Sequence, residues 1–110
     1  GDTVLKTFVE NCQRVFRVTD IFGRTGGEEF SAVLPETDAA NAARVAERLR
    51  DRVMNSRIDG GTDNRPIRCT VSIGLTSLRE DDVALESMIR RADKALYDAK
   101  RTGRNRVVQA

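Results

Sequence analysis

Apolar residues recur at three- and four-residue spacings from Thr3 to Phe16, at Val4, Leu5, Phe8, Val9, Cys12, Val15 and Phe16, which predicts an amphipathic helix. Beyond it the period shortens. Two apolar runs, Val18-Thr19-Asp20-Ile21-Phe22 and Phe30-Ser31-Ala32-Val33-Leu34, flank Gly26-Gly27. Tight hairpin turns need positive φ, which glycine reaches cheaply, so a β-hairpin is predicted from about Arg17 to Leu34 with the glycine pair at its tip. Pro35-Glu36-Thr37-Asp38 reads as a turn and helix cap. A long helix follows from Ala39 to about Ser56, with Ala42, Val45, Ala46, Leu49, Val53 and Met54 facing inward. Arg57 to Pro66, with Gly60-Gly61 and Asp63-Asn64, is a polar loop expected to be mobile. Cys69 to Leu75 alternates and is β-rich, which predicts a strand. Asp81-Asp82 is expected to cap a third helix from about Val83 to Arg101, with Leu85, Met88, Ile89, Ala92, Leu96 and Ala99 inward and Gly103 as its C-cap. Arg106-Val107-Val108 is a short final strand.

The order helix, hairpin, helix, strand, helix, strand is α+β. One strand added ahead of the first helix would complete a ferredoxin-like sandwich, an antiparallel-rich central sheet flanked by helices. The first helix opens almost at residue 1 with no upstream cap, which predicts a chain cut within a domain.

Composition narrows the chemistry. At 110 residues the chain is one domain, and such a chain buries roughly two thirds of its unfolded surface. Apolar residues make up 39% and charged residues 33%, which describes a globular protein in water. A net charge of +2 implies no polyanion, so no nucleic-acid partner is expected. No apolar run approaches membrane-spanning length and no secretory leader is read, so direct membrane insertion is not expected. The chain has no histidine, which excludes Cys–His and Ser–His nucleophilic devices. Cys12 and Cys69 lack metal spacing and read as buried thiols in a reducing, cytoplasmic compartment.

Candidate chemistry gathers at Gly26-Gly27-Glu28-Glu29-Phe30. A glycine backbone lets a phosphate or ribose approach closely, and a carboxylate at the tip is a hard oxygen ligand suited to Mg²⁺. On a regular strand Glu28 and Glu29 would point to opposite faces, so both meet one site only where the turn still twists. By itself such a turn is more often a solvated loop.

The surrounding residues change that weighting. Arg24-Thr25-Gly26-Gly27-Glu28-Glu29-Phe30, together with Gly1-Asp2-x-Val4-Leu5, Ser72-Ile73-Gly74, Ala92-Asp93-x-Ala95-Leu96-Tyr97-x-Ala99-Lys100 and Gly103-Arg104-Asn105, resembles the GGDEF family of diguanylate cyclases from Gly1 to about Val107. The resemblance implies the sandwich built as in the palm of polymerases and nucleotide cyclases. It also implies a reaction. Two GTP molecules, one on each of two facing domains of a homodimer, condense to cyclic di-GMP with release of two pyrophosphates. Glu28 would ligate Mg²⁺ (or Mn²⁺) and assist deprotonation of the attacking 3′-hydroxyl, and Glu29 would support the same region. Gly26 and Gly27 would lie against the nucleotide. Lys100 and Arg104 match cations that hold its terminal phosphates, although cations there also offset the helix dipole. Asp2 matches an aspartate that reads guanine, or it simply caps the first helix. The family's other metal aspartate and a guanine-reading asparagine lie on segments that precede the position of Gly1.

Five residues separate Arg17-Val18-Thr19-Asp20 from Gly26, the offset of the family's Arg-x-x-Asp inhibitory site for cyclic di-GMP. Arg17 would fork onto phosphate or guanine, Asp20 would accept from guanine, and Arg48 matches a further arginine of that site. The alternative is a plain surface ion pair. Besides the cyclase, two readings remain: a GTP or cyclic di-GMP receptor without turnover, and a relative making another cyclic nucleotide. An upstream sensor domain is expected as a partner.

Overall fold

The computed structural model describes residues 2–59 and 66–110, apart from the side chains of Asp2 and Asp59. Among these residues three helices carry the core: α1 (Asp2–Val15), α2 (Ala39–Asn55) and α3 (Leu85–Arg101). Among the described residues six strands accompany them in chain order: β1 (Ile21–Gly26), β2 (Glu29–Val33), β3 (Ile58–Asp59), β4 (Pro66–Ile67), β5 (Ile73–Leu75) and β6 (Val107–Gln109). The architecture is α+β, as the order of elements predicts. Among the described residues the strands form three separate pairs rather than one sheet. The pairs β1–β2 and β3–β4 are antiparallel and β5–β6 is parallel.

The core lies where α1 and α2 meet. Cys12, Val15, Leu49 and Val53 are buried there, with Phe8, Phe16, Phe22, Val45, Cys69, Val71 and Ile73 packed around them. Val53 is 1% exposed, and full burial of such a side chain contributes about 1.5–3 kcal/mol. Burial raises the Cys12 thiol to about 11, which leaves it protonated at neutral pH. Cys69 is only partly buried, short of the expected core position.

α2 begins as expected: the Asp38 carboxylate accepts from the Asn41 backbone N–H at 2.8 Å. α3 does not. Its N-cap is Ala84, which makes no side-chain cap, and the expected cap by Asp81-Asp82 is not formed. Asp82 is engaged instead by Arg91, which donates Nη1 at 2.5 Å and Nη2 at 2.7 Å to its two oxygens. Arg91 also donates to Thr76 Oγ1 and the Ser77 carbonyl, so one guanidinium latches the segment before α3 onto the helix. A bidentate tertiary partner outcompetes a single capping bond. Leu85 and Ile89, expected inward, are 56% and 46% exposed, while Ala95 and Ala99 are buried. Small residues face β5 because the helix lies directly on its backbone. The strand expected from Cys69 is confined to Ile73–Leu75. Ile58 and Ile67 pair across the polar loop of 57–66; its expected mobility concerns residues 60–65, which lie outside the described residues.

The Arg91 hydrogen bond holds the Asp82 carboxyl at about 2, below its ordinary value of 3.8. The folded value lies below the unfolded one. The pair's stabilisation is therefore present above pH 3.8 and is lost as pH falls through 2. Asp82→Asn should flatten the acid side of a plot of thermal midpoint against pH in that interval. A wild-type slope in the variant would show that other carboxylates set the acid limit.

Candidate active site

The hairpin is held to α1 by its aromatic residues. Phe22 and Phe30 share one hairpin face by register, and each stacks on an α1-side ring: Phe22 on Phe16 at 5.5 Å and Phe30 on Phe8 at 4.9 Å. Most of the remaining hairpin residues are exposed. A β-bulge falls between Arg24 and Gly26, where the unpaired Thr25 turns its hydroxyl toward Ser31 Oγ at 3.3 Å. The extra residue twists the tip.

That twist corrects the expected turn. Gly26 closes β1, and the two turn residues are Gly27 and Glu28, with positive φ at Gly27 (47°) and not at Gly26. Arg24 Nε donates to the Gly27 carbonyl at 2.6 Å and ties the tip down. A Cβ built at Gly26 or Gly27 would meet no heavy atom within 4 Å, so this stretch of backbone is open to a ligand. Glu28 stands exposed in the turn, and Glu29 is the first residue of β2. Glu28 thus lies outside the strict alternation that would send neighbouring side chains to opposite faces.

The far end of α3 meets that region. Lys100 Nζ lies 3.7 Å from Glu29 Oε1, with both side chains substantially exposed. An exposed pair of this kind contributes only about 0–1 kcal/mol. The fold does not depend on it, and both groups are accessible. After α3 the chain makes a tight turn in which Gly103, Arg104 and Asn105 all have positive φ, at 133°, 61° and 47°. For non-glycine residues this region costs about 1–3 kcal/mol each and persists only where neighbours impose it. The Arg104 N–H donates to the Ala99 carbonyl at 2.8 Å, closing the helix. The Asp2 carboxylate, as guanine acceptor or as cap, lies outside the described residues.

What positions α3 is Gly74. A Cβ there would come within 2.1 Å of the Ala92 carbonyl oxygen and 2.3 Å of the Leu96 nitrogen, so β5 crosses the helix at backbone contact. The parallel pairing of β5 with β6 then fixes where the turn after α3 must end.

Among the described residues no three or more carboxylate, thiol or imidazole side chains converge on one point. Glu28 and Glu29 are hard oxygen donors beside an open backbone. That suits Mg²⁺, which takes one or two carboxylates and completes its shell from phosphate oxygens and water. The donor set therefore fits a metal that arrives with a nucleotide.

Arg17 and Asp20 are together, but not as two free recognition groups. The Asp20 side chain is 2% exposed and accepts from Arg17 Nη2 at 3.0 Å, from Nε and from the Arg17 backbone N–H at 2.8 Å. The Arg17 guanidinium holds its carboxyl below the usual range. Arg17 also donates to the Pro35 carbonyl and Thr37 Oγ1, contacts that its sequence neighbourhood does not announce. Asp20 thus acts as an anchor that presents Arg17, and among the described residues Arg17 Nη1 makes no hydrogen bond. Arg48 is exposed on α2 and, among the described residues, bonds to neither.

Residues 1–106 match the family model described as the diguanylate cyclase GGDEF domain. The probable diguanylate cyclase DgcT of Escherichia coli K12 is 40% identical over 98% of this chain and 24% of its own length. Diguanylate cyclase A of Treponema denticola is 42% identical over 97% and 28%. The chain thus spans about a quarter of the length of these curated relatives. Among solved structures, the active GGEEF domain of a diguanylate cyclase from Vibrio cholerae superposes with a TM-score of 0.83 at 37% identity, covering 98% of this chain and 67% of that one. The coiled coil and GGDEF domain of DgcB from Caulobacter crescentus, in complex with c-di-GMP, superposes at 0.91 with 31% identity, covering 99% and 57%.

Proposed function

We propose, for a chain that belongs to the diguanylate cyclase GGDEF domain family, that its full-length protein condenses two GTP molecules to cyclic di-GMP and two pyrophosphates. The observation that carries this reading is the approach of Lys100 to Glu29, a cation beside a hairpin carboxylate, which supports a role for Lys100 at the phosphates. Gly26 and Gly27 admit the nucleotide's phosphates to the backbone. Lys100 and Arg104 neutralise the terminal phosphates, so that negative charge gathering on the leaving pyrophosphate is met by fixed cations. Glu28 accepts the proton of the 3′-hydroxyl as its oxygen bonds to the α-phosphorus of the facing nucleotide. The bond from that phosphorus to the β-phosphate oxygen breaks at the same time. Mg²⁺ or Mn²⁺ held by Glu28 and Glu29 would supply charge neutralisation at the phosphates.

Each copy offers one half-site, so two copies must face each other about a two-fold axis. Turnover per protomer should then rise with protein concentration until the dimer is saturated. Incubating the full-length protein with GTP and Mg²⁺ and resolving the products tests the assignment. One cyclic di-GMP per two pyrophosphates is expected; 3′,5′-cyclic GMP, or no product from a folded dimer, would refute it.

Product feedback is carried by Arg17, presented by Asp20, with Arg48 as a second cation. Arg17→Ala should weaken cyclic di-GMP binding roughly tenfold or more, since a charge-assisted fork is lost, and leave the KM for GTP little changed. Calorimetric titration with cyclic di-GMP reads this directly. An unchanged affinity would reduce Arg17 and Asp20 to a surface pair that ties the hairpin to the start of α2.

A further inference from the structure

We propose that Arg50 and Asn105 are positioning residues that hold the turn from which Arg104 reaches the nucleotide's terminal phosphates. This rests on the reading of Arg104 as a phosphate cation. Arg50 sits on α2 with its side chain 15% exposed. Its Nε and Nη2 both hold Glu47 Oε1, one helical turn back, which fixes the plane of the guanidinium. The remaining Nη1 donates to Asn105 Oδ1 at 2.9 Å, across 55 residues of sequence. The other end of the same amide, Asn105 Nδ2, donates to Met54 Sδ at 3.3 Å. Both ends of the half-buried Asn105 amide are therefore held from α2.

The residue so held is the last of three with positive φ. Directly before it, Arg104 has its N–H bound to the Ala99 carbonyl and its own carbonyl bound by Arg106 Nε at 3.1 Å. The Arg106 guanidinium also covers Gly103, where a Cβ would lie 2.3 Å from Nη2. Both backbone polar groups of Arg104 are thus taken. Its own side chain is exposed and, among the described residues, forms no hydrogen bond or ion pair. A directional side-chain bond fixes a turn's rotation where an apolar contact would let it swing. A fixed turn limits the region that the Arg104 side chain samples, so less freedom is lost when it meets a phosphate.

The test uses the full-length protein and two probes: 3′-deoxy-GTP, which cannot react, and GMP, which lacks the terminal phosphates. Arg50→Ala should weaken 3′-deoxy-GTP binding roughly tenfold while GMP affinity stays unchanged. Asn105→Gly, which keeps the backbone conformation without the amide, should do the same and guards against misfolding of the first variant. Arg50→Lys, with one donor group in place of the fork, should recover only part of the loss. In an Arg104→Ala background the Arg50→Ala loss should vanish. Equal losses for both probes, or losses that multiply in the double variant, would make Arg50 and Asn105 merely structural and overturn the proposal. So would unchanged 3′-deoxy-GTP binding in both Arg50→Ala and Asn105→Gly. If Arg104→Ala itself spares 3′-deoxy-GTP binding, the phosphate assignment of Arg104 fails and takes this inference with it.

Discussion

Glu28→Gln in the full-length protein is expected to lower kcat by roughly a thousandfold or more, the scale of a lost proton acceptor that also ligates charge. GTP binding should survive, because Lys100, Arg104 and the open glycine backbone are untouched. Stability should survive too. Glu28 is exposed in the hairpin turn and, among the described residues, makes no hydrogen bond or ion pair that the amide would break. The substitution removes one negative charge and almost no volume, so a fall in kcat without a change in thermal midpoint isolates chemistry from folding. Steady-state kinetics with calorimetric GTP titration measures both halves. Wild-type turnover in the variant would remove Glu28 from the reacting centre and leave the hairpin as a binding element alone.

The second large effect is structural. Gly74→Ala should destabilise the domain by about 3 kcal/mol or more, at the upper end for overpacking. The added methyl meets backbone at three places, Ala92 oxygen, Leu96 nitrogen and Leu96 Cα, the last at 2.9 Å. A flexible side chain could turn away; a helix backbone can only move as a body. Relief requires α3 to shift from β5, and α3 carries Lys100. The variant should therefore lose stability and, where it still folds, GTP affinity as well. Chemical denaturation of the two proteins reads the first effect. A difference below about 1 kcal/mol would mean that the helix and strand separate more easily than their contact implies.

Both predictions draw on features legible to different degrees in the sequence. The hairpin, the Asp38 cap and the closing turn at Gly103 are local: the residues that signal each one also make it. The turn lies one residue beyond the glycine pair's expected position, because glycine pairs signal a turn but a bulge at Thr25 decides which member takes positive φ. Asp82 illustrates a different limit. Its position before a helix suggests a cap, yet a partner nine residues on, Arg91, wins the carboxylate. Leu85 and Ile89 show that helical periodicity defines a stripe without saying whether anything covers it. The Arg50–Asn105 bond has no periodic signature at all, being one polar contact between residues on different elements. Arg17 and Asp20 were adjacent enough to pair, but only the fold shows that Asp20 is enclosed and that Pro35 and Thr37 share the load.

The proposed function requires that the hairpin tip and the end of α3 form a single nucleotide site. A crystal structure of the full-length protein with 3′-deoxy-GTP and Mg²⁺ tests it most directly, since the substrate binds but lacks the hydroxyl that would consume it. The phosphates should lie between the Gly26-Gly27 backbone and the Lys100 and Arg104 side chains, with the metal on Glu28. Phosphates bound away from either the hairpin or α3 would contradict the account.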